Sequence, residues 1–237
     1  MPVRRAVLAV TIALIPLLIA PAAGADHDRH PPKHKGDFQP VHRLAGSTGG
    51  ELLRDWWETV LAIPAAQNPI VAGNPELCFG IGRRDKVATF ASVNETATCT
   101  IKAGQPLFLT TFGAECSSAE PPPFFGATEE EQRQCVLDFL ADPAILSIRV
   151  SLDGGPPQEV HDERFQVISP QGEAVFPEGP IFDATPGPAT FVAGDWPVTP
   201  RKRLRPGVHT IDIRIELADA TFGTLLTLNV LRRHEHD

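Results

Sequence analysis

Tyrosine is absent from this chain of 237 residues, and methionine occurs once. Chemistry that needs a phenol is therefore excluded. Basic residues are outnumbered: 21 lysines and arginines face 29 aspartates and glutamates, for a net charge of −8. Binding to nucleic acid needs a basic face, so no nucleic-acid partner is expected. Apolar runs are short as well. Beyond residue 25 nothing approaches the ~20 consecutive apolar residues of a spanning helix, so no membrane span is expected after that point. The short motifs of catalysis are also missing. No G-x-S-x-G elbow, H-E-x-x-H pair, P-loop or G-x-G-x-x-G turn occurs. Gly80-Ile81-Gly82 runs into Arg83-Arg84-Asp85, which breaks even the glycine pattern.

Helix breakers are abundant, with 24 prolines and 19 glycines and no collagen-type period. Long helices have little room, which excludes a bundle or a coiled coil. The hydrophobic share of 42% and charged share of 21% belong to a globular chain.

Residues 1–25 read as a secretory signal peptide. Arg4 and Arg5 supply the positive start, Ala6 to Ile19 the uncharged run, and Ala23-Gly24-Ala25 the small-residue cleavage pattern. Pro16 and Pro21 shorten the apolar stretch and argue against an anchor helix. Residues 26–44 are polar, charged and broken by proline, the mark of a flexible His/Pro-rich leader. Residues 45–233 then form a single domain, and 234–237 a tail.

Cys78, Cys99, Cys116 and Cys135 all fall in the exported part. An even set of cysteines outside the cytoplasm pairs into disulfides, and three connectivities are open. The sequential one, Cys78–Cys99 with Cys116–Cys135, closes short loops and is favoured. A zinc site is the rival, but no C-x2-C pair occurs.

Thr48 with Glu51 makes a capping box, and Leu53, Trp56, Trp57, Val60 and Leu61 fall on one helical face that ends before Pro64. Thr128 and Glu131 start a second helix, with Val136, Phe139 and Leu140 as its stripe. The rest reads as strand: Val87 to Val93, Thr96 to Ile101, Pro106 to Phe112, Leu146 to Leu152, Arg164 to Ile168 and Ala189 to Val192. Residues 169–188 look irregular. The clearest alternation is His209 to Leu217, where Ile211, Ile213, Ile215 and Leu217 share one face; Leu226, Leu228 and Val230 continue it. The expected fold is all-β: a disulfide-bonded β-sandwich, jelly-roll or Ig-like, with two short helices.

Few residues suggest chemistry. His27, His30 and His34 interleave with Asp26, Asp28 and Asp37, and such a set can bind Zn²⁺, Cu²⁺ or Ni²⁺. Flexible tails seldom hold a defined site, so solvated tails are the preferred account and no cofactor is called for. Trp57 on the first helix can stack on a sugar, or can simply anchor the helix. Asp195-Trp196, read as a loop, is the better ligand candidate. His209 opens a strand after Pro206-Gly207 and is either structural or a lone base. Glu129-Glu130-Glu131 suit a helix start through the macrodipole alone. Arg201-Lys202-Arg203 with Arg205 form a basic run in an acidic protein.

The stretch Asp55-Trp56-Trp57, Ile63-Pro64, Asn68-Pro69, Cys78, Cys99 to Gly104, Leu107-Phe108 and Cys116 resembles a family of uncharacterised secreted bacterial proteins. Leu204, Pro206-Gly207 and His209-Thr210-Ile211 are similar to that family's closing strand. The chain departs at Ala88-Thr89-Phe90, where the family has Trp-Phe-Leu, and at Lys102, which precedes Ala103-Gly104 rather than following it. The resemblance implies export, disulfides and a β-rich fold, and brings no catalytic residue.

The expected function is a secreted, non-enzymatic binding module for carbohydrate or cell-envelope material. A structural or partner-binding exoprotein and a hydrolase using carboxylates or His209 are the alternatives. An exposed aromatic row around Trp196 would mark the module, and a cleft joining His209 to two acids the enzyme.

Overall fold

The computed structural model describes residues 36–232. Residues 1–25, read above as a signal peptide, together with His27, His30, His34 and the tail 234–237, lie outside the described residues. Along the chain run β1 (Phe38–Pro40), β2 (Arg43–Leu44), β3 (Ser47–Thr48), α1 (Gly49–Leu61), β4 (Leu77–Ile81), β5 (Val87–Ala91), β6 (Thr96–Lys102), β7 (Ala114–Ser117), α2 (Glu129–Leu140), β8 (Ile145–Leu152), β9 (Gln158–Glu159), β10 (Val167–Ile168), β11 (Gly172–Phe176), β12 (Gly187–Asp195), β13 (Val198–Pro200), β14 (Gly207–Leu217) and β15 (Thr221–Leu231).

The alternating segment is β14, the centre of a five-stranded sheet ordered β6-β15-β14-β8-β9. All its pairings are antiparallel except β15 with β6. Ile211, Ile213 and Ile215 point inward and are buried, while Arg214 between them is exposed. Each buried isoleucine contributes roughly 1.5–3 kcal/mol relative to an exposed one. A second sheet of four strands is built on β12, which pairs with β10, β11 and β7.

Strand β12 separates two cores, because successive side chains point to opposite faces. Val192 joins the core that holds Ile148, Ile211 and Leu226 of the five-stranded sheet and Val136 and Leu140 of α2. Phe191 and Ala193 join the core beneath α1, with Leu52, Trp56, Trp57 and Val60. The result is an all-β, disulfide-bonded, sandwich-like fold with a helix on either side of the smaller sheet.

Both helices start at the capping boxes read from sequence. The Thr48 hydroxyl accepts from the Glu51 N–H at 3.2 Å, and the Glu51 carboxylate accepts from the Thr48 N–H at 2.7 Å. Thr128 and Glu131 repeat the exchange at 3.3 and 3.0 Å. Each such cap stabilises its helix by about 1 kcal/mol.

The disulfides are Cys78–Cys99 and Cys116–Cys135, and no cysteine is free. The first ties the β4–β5 hairpin to β6. The second ties α2 to β7. Cα separations of 5.7 and 6.2 Å suit unforced bridges.

Four expectations need correction. The leader does not extend to residue 44: Phe38 is fully buried and β1 pairs with β13. A large apolar side chain at Phe38 outweighs the polar residues around it. Pro106 to Phe112 is not a strand. It bonds to Ala88 around Leu107 and to Val198 at Leu109, so it changes partner before a ladder can form. Arg164 to Ile168 splits into a 3₁₀ turn, Glu163–Phe165, and the short β10. Residues 169–188 are not all irregular, since they contain β11, which lies along β12.

Candidate functional site

A cleft with a volume of about 250 Å³ opens where the two cores fail to meet. Trp56 and Trp57 come to it from α1, Phe90 from β5, and Ile213 and Ile215 from β14. Phe112, Phe182 and Phe222 come from three further segments. Adjacency in sequence puts Trp56 and Trp57 about 100° apart on the helix, and both rings are nevertheless buried. Trp56 and Trp57 meet edge to face at 5.0 Å. The Trp56 Nε1–H donates to the Phe90 carbonyl at 2.9 Å, which locks that ring to β5. Trp57 Nε1 is buried without a hydrogen-bond partner among the described residues.

The mouth is apolar. Val93, Phe182 and Phe222 are 49%, 47% and 44% exposed and all line this cleft. Single exposed apolar residues need no explanation, but three at one cavity mouth do. Phe182 leans on Trp57 with ring centres 6.5 Å apart. Its φ of 60°, followed by 55° at Asp183, is left-handed backbone that a bulky residue seldom adopts.

One ionisable side chain lines the cleft: Asp195, the last residue of β12. It is 2% exposed. Its Oδ1 accepts from the Thr111 N–H at 3.0 Å, with the Thr111 hydroxyl at 3.3 Å. The same hydroxyl donates to the Trp196 carbonyl at 3.0 Å. Gly113 leaves room for Oδ2, since a Cβ there would stand 2.5 Å from it. Among the described residues, no lysine, arginine or histidine lines the cleft. Burial pushes the Asp195 carboxyl up to about 7, against the opposing pull of the Thr111 hydrogen bonds.

The residues singled out from sequence are dispersed. Asp195 and Trp57 meet at the cleft. Trp196 does not join them as an exposed platform: the residue is fully buried in the larger core, with its ring 5.0 Å from that of His161. Its bulk fills space between the sheets, so it offers no face for stacking. His209 is elsewhere as well. Its Nδ1 lies 2.7 Å from Asp153 Oδ2 and its Nε2 2.9 Å from the Arg205 carbonyl. Carboxylates and carbonyls only accept, so the ring must donate from both nitrogens. That arrangement favours the protonated ring, the Asp153 hydrogen bond raises its pKa, and both ring nitrogens are engaged. The Arg201-Lys202-Arg203 run lines a separate groove of about 210 Å³ with Pro106 and Leu107.

Sequence reading missed Thr111, Gly113, Phe112, Phe182 and Phe222. Three separate segments supply them, Thr111 to Gly113 being one, and no local pattern marks any of the five. Among the described residues, no group of three or more His, Cys, Asp or Glu could hold a metal ion. Compared with protein families, curated proteins and solved structures, the chain matches none.

Proposed function

We propose that the protein is an exported, non-enzymatic binding protein that holds a small, mostly apolar ligand in this cleft. The observation that carries the reading is a buried carboxyl, Asp195, facing a wall of aromatic rings beneath an exposed apolar rim. The volume supports it. A dry cavity of about 150 Å³ holds a benzene ring, and drug-sized molecules occupy upward of about 300 Å³. The 250 Å³ here suits one ring with a short substituent. Among the described residues the cleft offers Asp195 no second acid or base beside it, which favours a binding reading. The signal-like residues 1–25, the two disulfides, and the lack of any helix long and apolar enough to cross a membrane among the described residues support export. A glycan platform finds less support, because Trp196 lies in the core.

The test is a titration of the oxidised protein with toluene and bromobenzene. A ligand selective for the folded state raises its melting temperature. Toluene should do so saturably, and bromobenzene should quench tryptophan emission with the same affinity. Val93→Phe, which narrows the mouth, should weaken both effects. No saturable effect from either compound, beside a clear shift with a soluble glycan, would return the reading to carbohydrate binding.

A further inference from the structure

We infer that the cleft selects an organic ammonium ion: a compact cation with an apolar body, neutralised by Asp195 and surrounded by aromatic rings. This rests on the binding reading above and gives the ligand its charge.

The argument begins with what Asp195 lacks. Buried charges are paired or metal-bound, because an isolated one gives up its hydration without return. Asp195 has hydrogen bonds from Thr111 but, among the described residues, no cationic partner, and none of them brings a cation to the cleft. The neighbouring wall is unusual in composition. Trp56, Trp57, Phe90, Phe112, Phe182 and Phe222 all contribute, although aromatics are only 7% of the chain. Aromatic faces carry negative potential and attract ammonium groups, most strongly when desolvated. A neutral apolar ligand would satisfy the rings and leave the carboxylate unpaired. An anion would be repelled. An ammonium ion satisfies both.

Protonation links to this. A carboxyl raised to about 7 is partly neutral at physiological pH, and a bound cation would favour its ionised form. Ammonium binding should therefore release protons, and its affinity should rise as pH passes upward through 7. No other titratable side chain among the described residues lines the cleft to oppose this.

Phenethylamine and phenethyl alcohol share a skeleton and differ in charge, so they separate the two questions. Calorimetry of the oxidised chain at pH 8 should show the amine binding at least tenfold more tightly than the alcohol. Between pH 8 and pH 5.5 that advantage should shrink to less than threefold, while the alcohol stays constant. The enthalpy in buffers of different ionisation heat should report proton release near pH 7. Asp195→Asn, checked for a native circular dichroism spectrum, should abolish the preference. Equal binding of both compounds at every pH overturns the inference and leaves the apolar cleft intact. Absence of binding by amine, alcohol and toluene alike overturns both readings. The pH series needs no variant, so it decides the matter even if Asp195→Asn fails to fold.

Discussion

His209 and Asp153 form a clasp: Nδ1 stands 2.7 Å from Oδ2, while the Thr210 N–H donates to the other Asp153 oxygen at 2.8 Å. The pair pins the Asp153-Gly154-Gly155 turn after β8 to the start of β14. The hydrogen bond to Asp153 raises the His209 pKa above its ordinary value of 6.5. A group whose folded pKa is raised stabilises fully below its unfolded pKa, and loses that effect as pH climbs through the folded one. His209→Ala should lower the melting temperature by a few degrees at pH 6, following a loss of about 1 kcal/mol. The difference from the unmodified protein should narrow by pH 9. A scan of melting temperature against pH for both proteins checks it.

Glu115 and Glu120 set a trend in the same direction. Glu115 lies on β7, is 3% exposed, and has no hydrogen-bond partner for either oxygen among the described residues. Burial first, and then the neighbouring Glu120, raise it well above the ordinary carboxylate range. Glu120, which accepts from the Ser117 hydroxyl at 3.3 Å, is raised too. Both pKa values are raised on folding, so the pair destabilises the fold as pH rises above 4.5 and the acids are forced to ionise. Glu115→Gln keeps the shape without the charge. It should raise the melting temperature at pH 8 and flatten its decline between pH 5 and pH 8. A variant that is less stable than the parent across that range would show that Glu115 is ionised and paired.

The disulfides should be worth more than any cap. Cys116–Cys135 closes a loop of sequence separation 19. Chain entropy sets its contribution at roughly 3 kcal/mol. Replacing both cysteines by serine should lower stability by that order in urea titration. Thiol counting on the denatured, unreduced protein should find none.

Gly113 marks how tightly the cleft floor is built. A Cβ there would stand 2.5 Å from both Asp195 Oδ2 and the Gly194 carbonyl oxygen. Backbone cannot yield cheaply, so Gly113→Ala should destabilise by about 1–3 kcal/mol. It should also weaken phenethylamine binding by displacing the carboxyl. Unchanged binding in a folded Gly113→Ala protein would separate Gly113 from the site.

Phe182 trades stability for position. Left-handed backbone costs a non-glycine residue roughly 1–2 kcal/mol, and strain of this kind gathers at functional sites. Phe182→Gly removes the strain and loses only a half-exposed ring. The melting temperature should hold or rise, while toluene affinity falls severalfold. A large drop in stability instead would make Phe182 a structural residue.

The sequence by itself determined what depends on near neighbours. Capping boxes at Thr48 and Thr128 are contacts over three residues, and they formed as read. Alternation at His209 to Leu217 is a property of one strand, and it named the buried isoleucines of β14. Cysteine spacing favoured the short-loop pairing, because closing a short loop sacrifices least chain entropy. Tertiary structure decided which aromatic residues are covered and which surroundings the Asp195 carboxyl acquires. Trp196 and Phe182 are both aromatic residues next to an aspartate. One is sealed between the sheets and the other stands at a cavity mouth, because of how two sheets pack rather than what flanks each residue. Likewise Asp195 is readable as a ligand candidate, but its setting exists only where β12 ends beside Thr111 and Gly113, more than 80 residues away in the chain. Such a site comes from packing long-range segments together, and no local periodicity encodes it.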